Sequence, residues 1–207
     1  KSKKNVVDPN DMIDLYGADT ARWFMLSDSP PDRDLQWTDT GIASSFKFIN
    51  KIWDFVSKYK NYNEKNTSDK NLVNKLKILI NSVSRNIEDF QFNKSVAKIY
   101  EFVNLLNFAI SAKSIGVEDF KWSLNKLSII LQPFLPHISE EIWSNLGNSD
   151  LCINENWPVE KTSEKNIKTN IAVQINGKTR QVIKVDRALE KEEVLRLVKK
   201  DKKVSKY

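Results

Sequence analysis

Cysteine, histidine, glycine and long apolar runs are all scarce in this chain, and each shortage closes off a class of protein. The single cysteine, Cys152, makes no internal disulfide, and with the single histidine, His137, it does not complete a Cys/His zinc site. A disulfide framework and structural zinc are therefore excluded, no metal site is expected, and a cytosolic setting is favoured. The five glycines, at 17, 41, 116, 147 and 177, fit neither a dinucleotide fingerprint nor a phosphate-binding loop, both of which need glycines at close fixed spacing. No apolar run approaches the roughly 20 residues that span a bilayer. Lys1 to Asn5 is basic, but an acidic and polar stretch follows it in place of the apolar core of a signal peptide. Only six of the 33 cations are arginine, at 22, 33, 85, 180, 187 and 196. The abundance of lysine and asparagine reads as a compositional habit of the source first and a functional signal second.

What is present is enough for a soluble globular protein. A chain of 207 residues with 40% hydrophobic and 29% charged residues suits one domain or two small ones and buries a core without staples. The net charge of +6 is unevenly placed. Residues 1 to 160 carry 19 Lys+Arg against 21 Asp+Glu, and residues 161 to 207 carry 14 against 6. The basicity belongs to the last quarter. The first residue is Lys1 and the earliest methionine is Met12, and Lys202 to Tyr207 stops without a capping or turn signal. The chain is therefore expected to be a piece cut from a longer one.

Hydrophobic spacing sets the organisation. Asp8 reads as an N-cap with Pro9 at the first helical position, and Gly17 stops that short helix. A second helix, Ala18 to Leu26, carries Trp23, Phe24 and Leu26 before Ser29-Pro30-Pro31-Asp32 breaks it. Three long amphipathic patterns follow: Ile42, Phe46, Ile49, Trp53 and Val56; Leu72, Leu76, Leu79, Val83, Ile87 and Phe90; and Val96, Ile99, Val103, Leu106 and Ile110. Each is one apolar stripe at a spacing of three or four. Phe120, Leu124, Leu127 and Leu131 make a fourth that ends at Pro133. Pro136 then opens a helix with Ile138, Ile142 and Leu146, closed by Gly147. The polar Asn61 to Lys70 is a loop. Stripes of this kind bury against one another, so the prediction is a mainly α protein whose residues 38–147 form an antiparallel helical bundle, with an irregular stretch around Trp157-Pro158 after it. From 161 a small α+β module begins. Ile171, Val173 and Ile175 alternate with polar residues, Asn176-Gly177 supplies a type I′ turn, and Arg180 to Val185 returns. Leu189 to Lys200 reads as a helix with acids first and lysines last, as the macrodipole prefers. One hairpin and one helix are marginal in water, so this module is expected to be incomplete.

Three constellations carry possible chemistry, each beside a plainer reading. His137 with Glu140 and Glu141 lacks a nucleophile and an orienting partner, and a histidine in a first helical turn is more often a packing or capping residue. Trp53, Trp122, Trp143 and Trp157 are able to stack bases, but Trp53 and Trp143 lie on or beside apolar stripes, where core packing is the better reading. The lysines from 178 to 206 are either a solvated face or a phosphate-neutralising one, and their concentration in one block raises the second.

Lys1-Ser2-Lys3-Lys4-Asn5-Val6-Val7-Asp8-Pro9, followed by Tyr16-Gly17-Ala18-Asp19 and Arg22, resembles the region that begins inside the Lys-Met-Ser-Lys-Ser signature of class I aminoacyl-tRNA synthetases. Phe134-Leu135-Pro136-His137-Ile138, with Glu140-Glu141 and Trp143, is similar to a late-bundle motif of the subclass that handles leucine, isoleucine and valine. Within it, Ser29-Pro30-Pro31-Asp32 leading to Leu35-Gln36-Trp37 resembles the leucyl branch best, as does Val173-Gln174-Ile175-Asn176-Gly177-Lys178-Thr179-Arg180 against the opening hairpin of the bacterial leucyl C-terminal domain.

The resemblance implies three parts: residues 1–37 as the end of the signature loop and a stem-contact segment, 38–160 as a helical anticodon-binding domain, and 161–207 as the start of a tRNA-binding α+β domain. It also implies that the complete enzyme joins leucine to tRNA(Leu) through leucyl-adenylate, using ATP with Mg2+. Lys1 and Ser2 then match the last two signature residues, with Lys1 catalytic and both at the ATP phosphates, where cations stabilise developing charge. Lys178, Arg180 and Lys184 are the expected tRNA contacts. This piece alone is expected to be inactive, to hold no cofactor of its own, and to be a cytoplasmic monomer. A valyl or isoleucyl relative, or a non-catalytic helical RNA-binding module with a basic arm, remains the alternative.

Overall fold

The computed structural model describes residues 7–27, 29–65, 70–162, 168–175, 178–186, 191–201 and 204. Helix α1, Pro9–Tyr16, starts where Asp8 accepts a bond from the Asn10 amide and where Pro9 occupies the first turn. It ends at Gly17, whose φ of 84° suits a residue without a Cβ. α2, Ala18–Ser27, follows directly. α3, Asp39–Lys60, is capped by the Thr38 hydroxyl, which accepts from the Gly41 amide at 3.2 Å. Gly41 itself is needed for close approach: a Cβ there would lie 2.5 Å from the Phe24 ring of α2.

α4 (Lys70–Glu88), α5 (Phe92–Ser111), α6 (Val117–Leu131) and α7 (Pro136–Asn145) complete the bundle. Their stripes bury as the spacing predicts. Leu76, Val83, Ile99, Val103, Leu106, Phe120, Leu124, Leu127 and Ile142 are all fully buried. Each such side chain contributes about 1.5–3 kcal/mol. Two aromatic groups organise the core. Trp23 of α2 stacks on Phe48 at 5.1 Å and donates its Nε1–H to the Tyr100 hydroxyl at 3.3 Å. Phe120 takes edge contacts from Phe55, Tyr59 and Tyr62 at 5.1 to 6.4 Å.

α3 departs from expectation in its phase. Ile42 and Val56 are buried and Ile49 packs on the core, but Phe46 and Trp53 are 39% and 38% exposed. Phe48, Ile52 and Phe55 take the inward positions instead. The helix carries apolar residues on two adjacent faces, and the rings of Trp23, Tyr100 and Phe120 select the one that contains Phe48 and Phe55. Phe90 likewise leaves the α4 stripe. It lies just beyond the helix at φ 54° and is 70% exposed.

After α7 the chain straps back over the bundle through a 3-10 turn at Cys152–Asn154. Trp157 donates to the Ser84 hydroxyl at 2.8 Å. Asn81 brackets the Glu160 backbone, donating to its carbonyl at 2.7 Å and accepting from its amide at 3.1 Å. Lys126 and Lys77 reach the Glu160 carboxylate at 3.2 and 3.6 Å.

The chain divides into two compact units, 1–161 and 162–207. In the second, β1 (Lys168–Ile175) pairs antiparallel with β2 (Lys178–Asp186), and α8 (Lys191–Lys200) follows. The expected Asn176-Gly177 turn and the first two residues of the expected Leu189 to Lys200 helix lie outside the described residues.

Candidate nucleic-acid interface

The hairpin presents the three predicted cations, all exposed, at three different register positions. Pairing runs Asn170 to Lys184, Ala172 to Val182 and Val173 to Gln181, then shifts so that Gln174 faces Thr179 and Ile175 faces Lys178. Arg180 is thus the extra residue of a bulge in β2. Strand alternation places Lys184 on the face of Ala172 and Val182, and Lys178 across from Ile175 on the opposite face. A bulge re-aims the side chain it carries, so Arg180 breaks the alternation between them. The cations therefore run from the turn end of the hairpin, at Lys178 and Arg180, towards its open end, at Lys184, and do not form one flat row. Lys1 and Ser2 lie outside the described residues.

The bundle's polar residues at the His137 motif prove to be a clamp. Asp19, 8% exposed on α2, accepts from the Ile138 amide at 2.8 Å, the His137 amide at 3.4 Å and the imidazole Nδ1–H at 2.9 Å. It caps α7 from a different helix, with its negative charge at the positive end of the macrodipole. Three residues on, Arg22 donates to the carbonyls of Pro133 and Phe134 at 2.8 and 3.1 Å, at the end of α6. One turn of α2 thus closes both ends of the α6–α7 connection. Glu140 performs the equivalent task for the strap. It accepts from the Cys152 and Ile153 amides at 2.7 and 3.0 Å and from the Gln132 side chain. His137 belongs to this cap as a donor to Asp19, a structural role in line with its sequence context, and among the described residues no nucleophile is bonded to it.

Cys152 is 1% exposed beside Ile129 and Trp143. Desolvation first, and then the charges of Glu140 and Glu155, push its thiol up from 9.0 to about 12, which makes it inert. Trp143 is a core residue whose Nε1–H is used on the Asp150 carbonyl at 2.8 Å. Trp122 is half-buried, with the Lys77 ammonium 5.7 Å above its ring. Among the described residues there is no cluster of three metal-ligating side chains, and none of the helices is long and apolar enough to cross a membrane.

The family model for the anticodon-binding domain of tRNA ligase matches residues 69–195, more than half of the chain. The chain belongs to that family. This anticodon-binding-domain protein is similar along its whole length to the leucine–tRNA ligase of Petrotoga mobilis, at 38% identity, while covering 27% of that protein. The leucine–tRNA ligase of Ruegeria pomeroyi is 39% identical over 95% of the chain and 23% of its own length. Among solved structures, the ternary complex of Agrobacterium radiobacter K84 agnB2 LeuRS-tRNA-LeuAMS superposes with a TM-score of 0.71 at 26% identity, covering 100% of this chain and 28% of that one. The chain thus spans about a quarter of the length of the relatives it matches. The clamp of this anticodon-binding-domain protein was not foreseen from sequence. The one signal for it is that Asp19 and Arg22 are opposite charges three apart, hence neighbours on a helix.

Proposed function

We propose that this chain is the tRNA-binding portion of a leucine–tRNA ligase, whose complete form uses ATP with Mg2+ to make leucyl-adenylate and transfers the leucyl group to tRNA(Leu). The observation that carries the reading is similarity to leucine–tRNA ligases over the entire chain rather than over one motif. The second unit supplies the physical basis for RNA contact. Lys178, Arg180 and Lys184 are exposed around the hairpin in the block that holds the chain's excess positive charge. Cations of this kind neutralise phosphates and position an RNA without reading its bases. Lys1, and Ser2 beside it, belong to the ATP site of the complete enzyme, with Lys1 stabilising the departing pyrophosphate. The protein works as a cytoplasmic monomer, and this chain by itself neither activates leucine nor charges tRNA.

Affinity for a tRNA(Leu) transcript, measured by fluorescence anisotropy across a salt series, tests the reading. Replacing Lys178, Arg180 and Lys184 together by Ala should lower the log–log salt slope by about 2, at roughly 0.7–0.9 per phosphate neutralised. An unchanged slope would remove the hairpin from the interface. Leucine-dependent ATP–pyrophosphate exchange by the chain alone would contradict the assignment of catalysis to the complete enzyme.

A further inference from the structure

α1 and α2 are neighbours in sequence but are held very differently. None of the eight residues of α1 is buried, and Ile13 and Leu15 stand 41% and 68% exposed. A helix of this length is marginal by itself, and Asp14 in its last turn sits at the negative end of the macrodipole with no basic residue there to offset it. α2 is fixed. It buries Asp19, Thr20, Trp23 and Phe24, and its Asp19 and Arg22 close the α6–α7 connection. Between the two helices stands Gly17, at φ 84° and ψ 153°, a backbone region that belongs to glycine almost alone. A Cβ there would meet nothing within 4 Å, so conformation and not space calls for the glycine.

The ties that hold α1 down gather at its last residue. Tyr16 sets its ring against Phe46 of α3 at 5.8 Å in an edge contact, and its carbonyl accepts from the Thr20 hydroxyl at 2.7 Å. Among the described residues no other hydrogen bond or ring contact joins α1 to the bundle. Both ties cross Gly17, and rotation about its two dihedrals parts them. We propose that α1 is a lever that pivots at Gly17, docked while Tyr16 meets Phe46 and released when the pair separates, with α2 as its fixed base. One ring pair and one hydrogen bond make a tie weak enough for both states to be populated. Phe46 then has a task that explains its outward position on α3. The two states place the segment before α1 differently, so a ligand that prefers one of them shifts the balance by its differential affinity. Lys1 and Ser2 lie in that segment. Their proposed place at an ATP site stands apart from the lever, because amide exchange in α1 reports on the helix whether or not ATP is bound there.

Hydrogen exchange of the chain, resolved to peptides within 9–16 and 18–27, tests the lever. Amides of α1 should exchange at least about 100-fold faster than those of α2, yet roughly ten-fold slower than in an unstructured chain, because releasing α1 does not open the core. Phe46→Ala should accelerate exchange in α1 roughly five-fold and leave α2 unchanged, and Tyr16→Ala, which leaves α3 intact, should do the same. The double variant should add little to either single one, since both remove the same pair. Trp53→Ala, which removes the other large exposed ring of α3, should leave α1 as it is in the parent. Gly17→Ala bars the docked backbone and should accelerate α1 at least as much as Tyr16→Ala does, again without reaching α2. Equal protection of α1 and α2 in the parent, acceleration of both helices by Tyr16→Ala, or no response of α1 to it would overturn the proposal. So would α1 amides that exchange as fast as an unstructured chain, since no docked state would then exist.

Discussion

In the unit that ends at Lys161, rings from α2, α3, α5 and α6 meet around Trp23 and Phe120, and most of the stripe residues are sealed from solvent. In the unit that follows, the buried apolar side chains among the described residues are Val173, Val185 and Val204, while Val182, Leu195 and Leu197 stand about half exposed. The first unit is close to neutral, and the block from 161 onward holds 14 Lys+Arg against 6 Asp+Glu. The contrast teaches where each unit's sequence is constrained. The bundle needs shape complementarity, because its interior is close-packed and a deleted methylene is felt. The hairpin needs charge at its surface, which phosphate contact rewards whatever lies beneath.

Four changes test that contrast, from the largest effect to the smallest. Phe120→Ala should cost about 3–5 kcal/mol, because it empties the site around which Phe55, Tyr59 and Tyr62 pack. Denaturant unfolding followed by far-UV circular dichroism reads it, and a cost below about 1 kcal/mol would mean that the bundle is not held by its rings. Asp19→Ala should cost about 1–3 kcal/mol, since two backbone amides at the start of α7 and the His137 imidazole lose their acceptor. Asp19→Asn, which keeps an acceptor oxygen, should lose less in the same measurement. Val185→Ala should cost about 1–1.5 kcal/mol, two buried methyls in a thin core. It should register in hydrogen exchange of β1 and β2 while bundle amides keep their protection, and loss of protection in both would show that the units unfold together.

The smallest effect is the pH dependence from Cys152. Its thiol is raised in the folded protein, so the unfolded state loses its proton first. The stabilisation is present in full below 9.0 and is lost as pH rises towards about 12. Alkylation by iodoacetamide at mildly alkaline pH should therefore require unfolding. Rapid labelling of the native protein would place the thiol at the surface and break the picture of a sealed strap.

Much of the bundle was legible in its punctuation. Asp8-Pro9, Gly17, Pro136 and Gly147 act on their immediate neighbours, and the helix ends fall beside them. The stripes of α5 and α6 were legible because every residue in them is turned inward in the packed bundle. That of α3 was not, because Phe46 and Trp53 compete with Phe48 and Phe55 at the same period, and only the facing rings distinguish them. In the candidate interface, the identity of Lys178, Arg180 and Lys184 as hairpin cations was readable from alternation and the Asn-Gly pair. Their spread around the hairpin was not, because the bulge at Arg180 is a property of how β2 pairs with β1.

The sequence by itself determined where helices start and stop, that a hairpin follows, and which block carries the positive charge, since capping, period and charge are local quantities. Only the tertiary structure decided which face of α3 is buried, that Asp19 caps a helix 118 residues away, and that Lys51 and Lys58 find Asn104 and Asn107. A carboxylate or ammonium is satisfied by whatever donor or acceptor the packed fold brings within about 3 Å of it, and sequence separation places no limit on that.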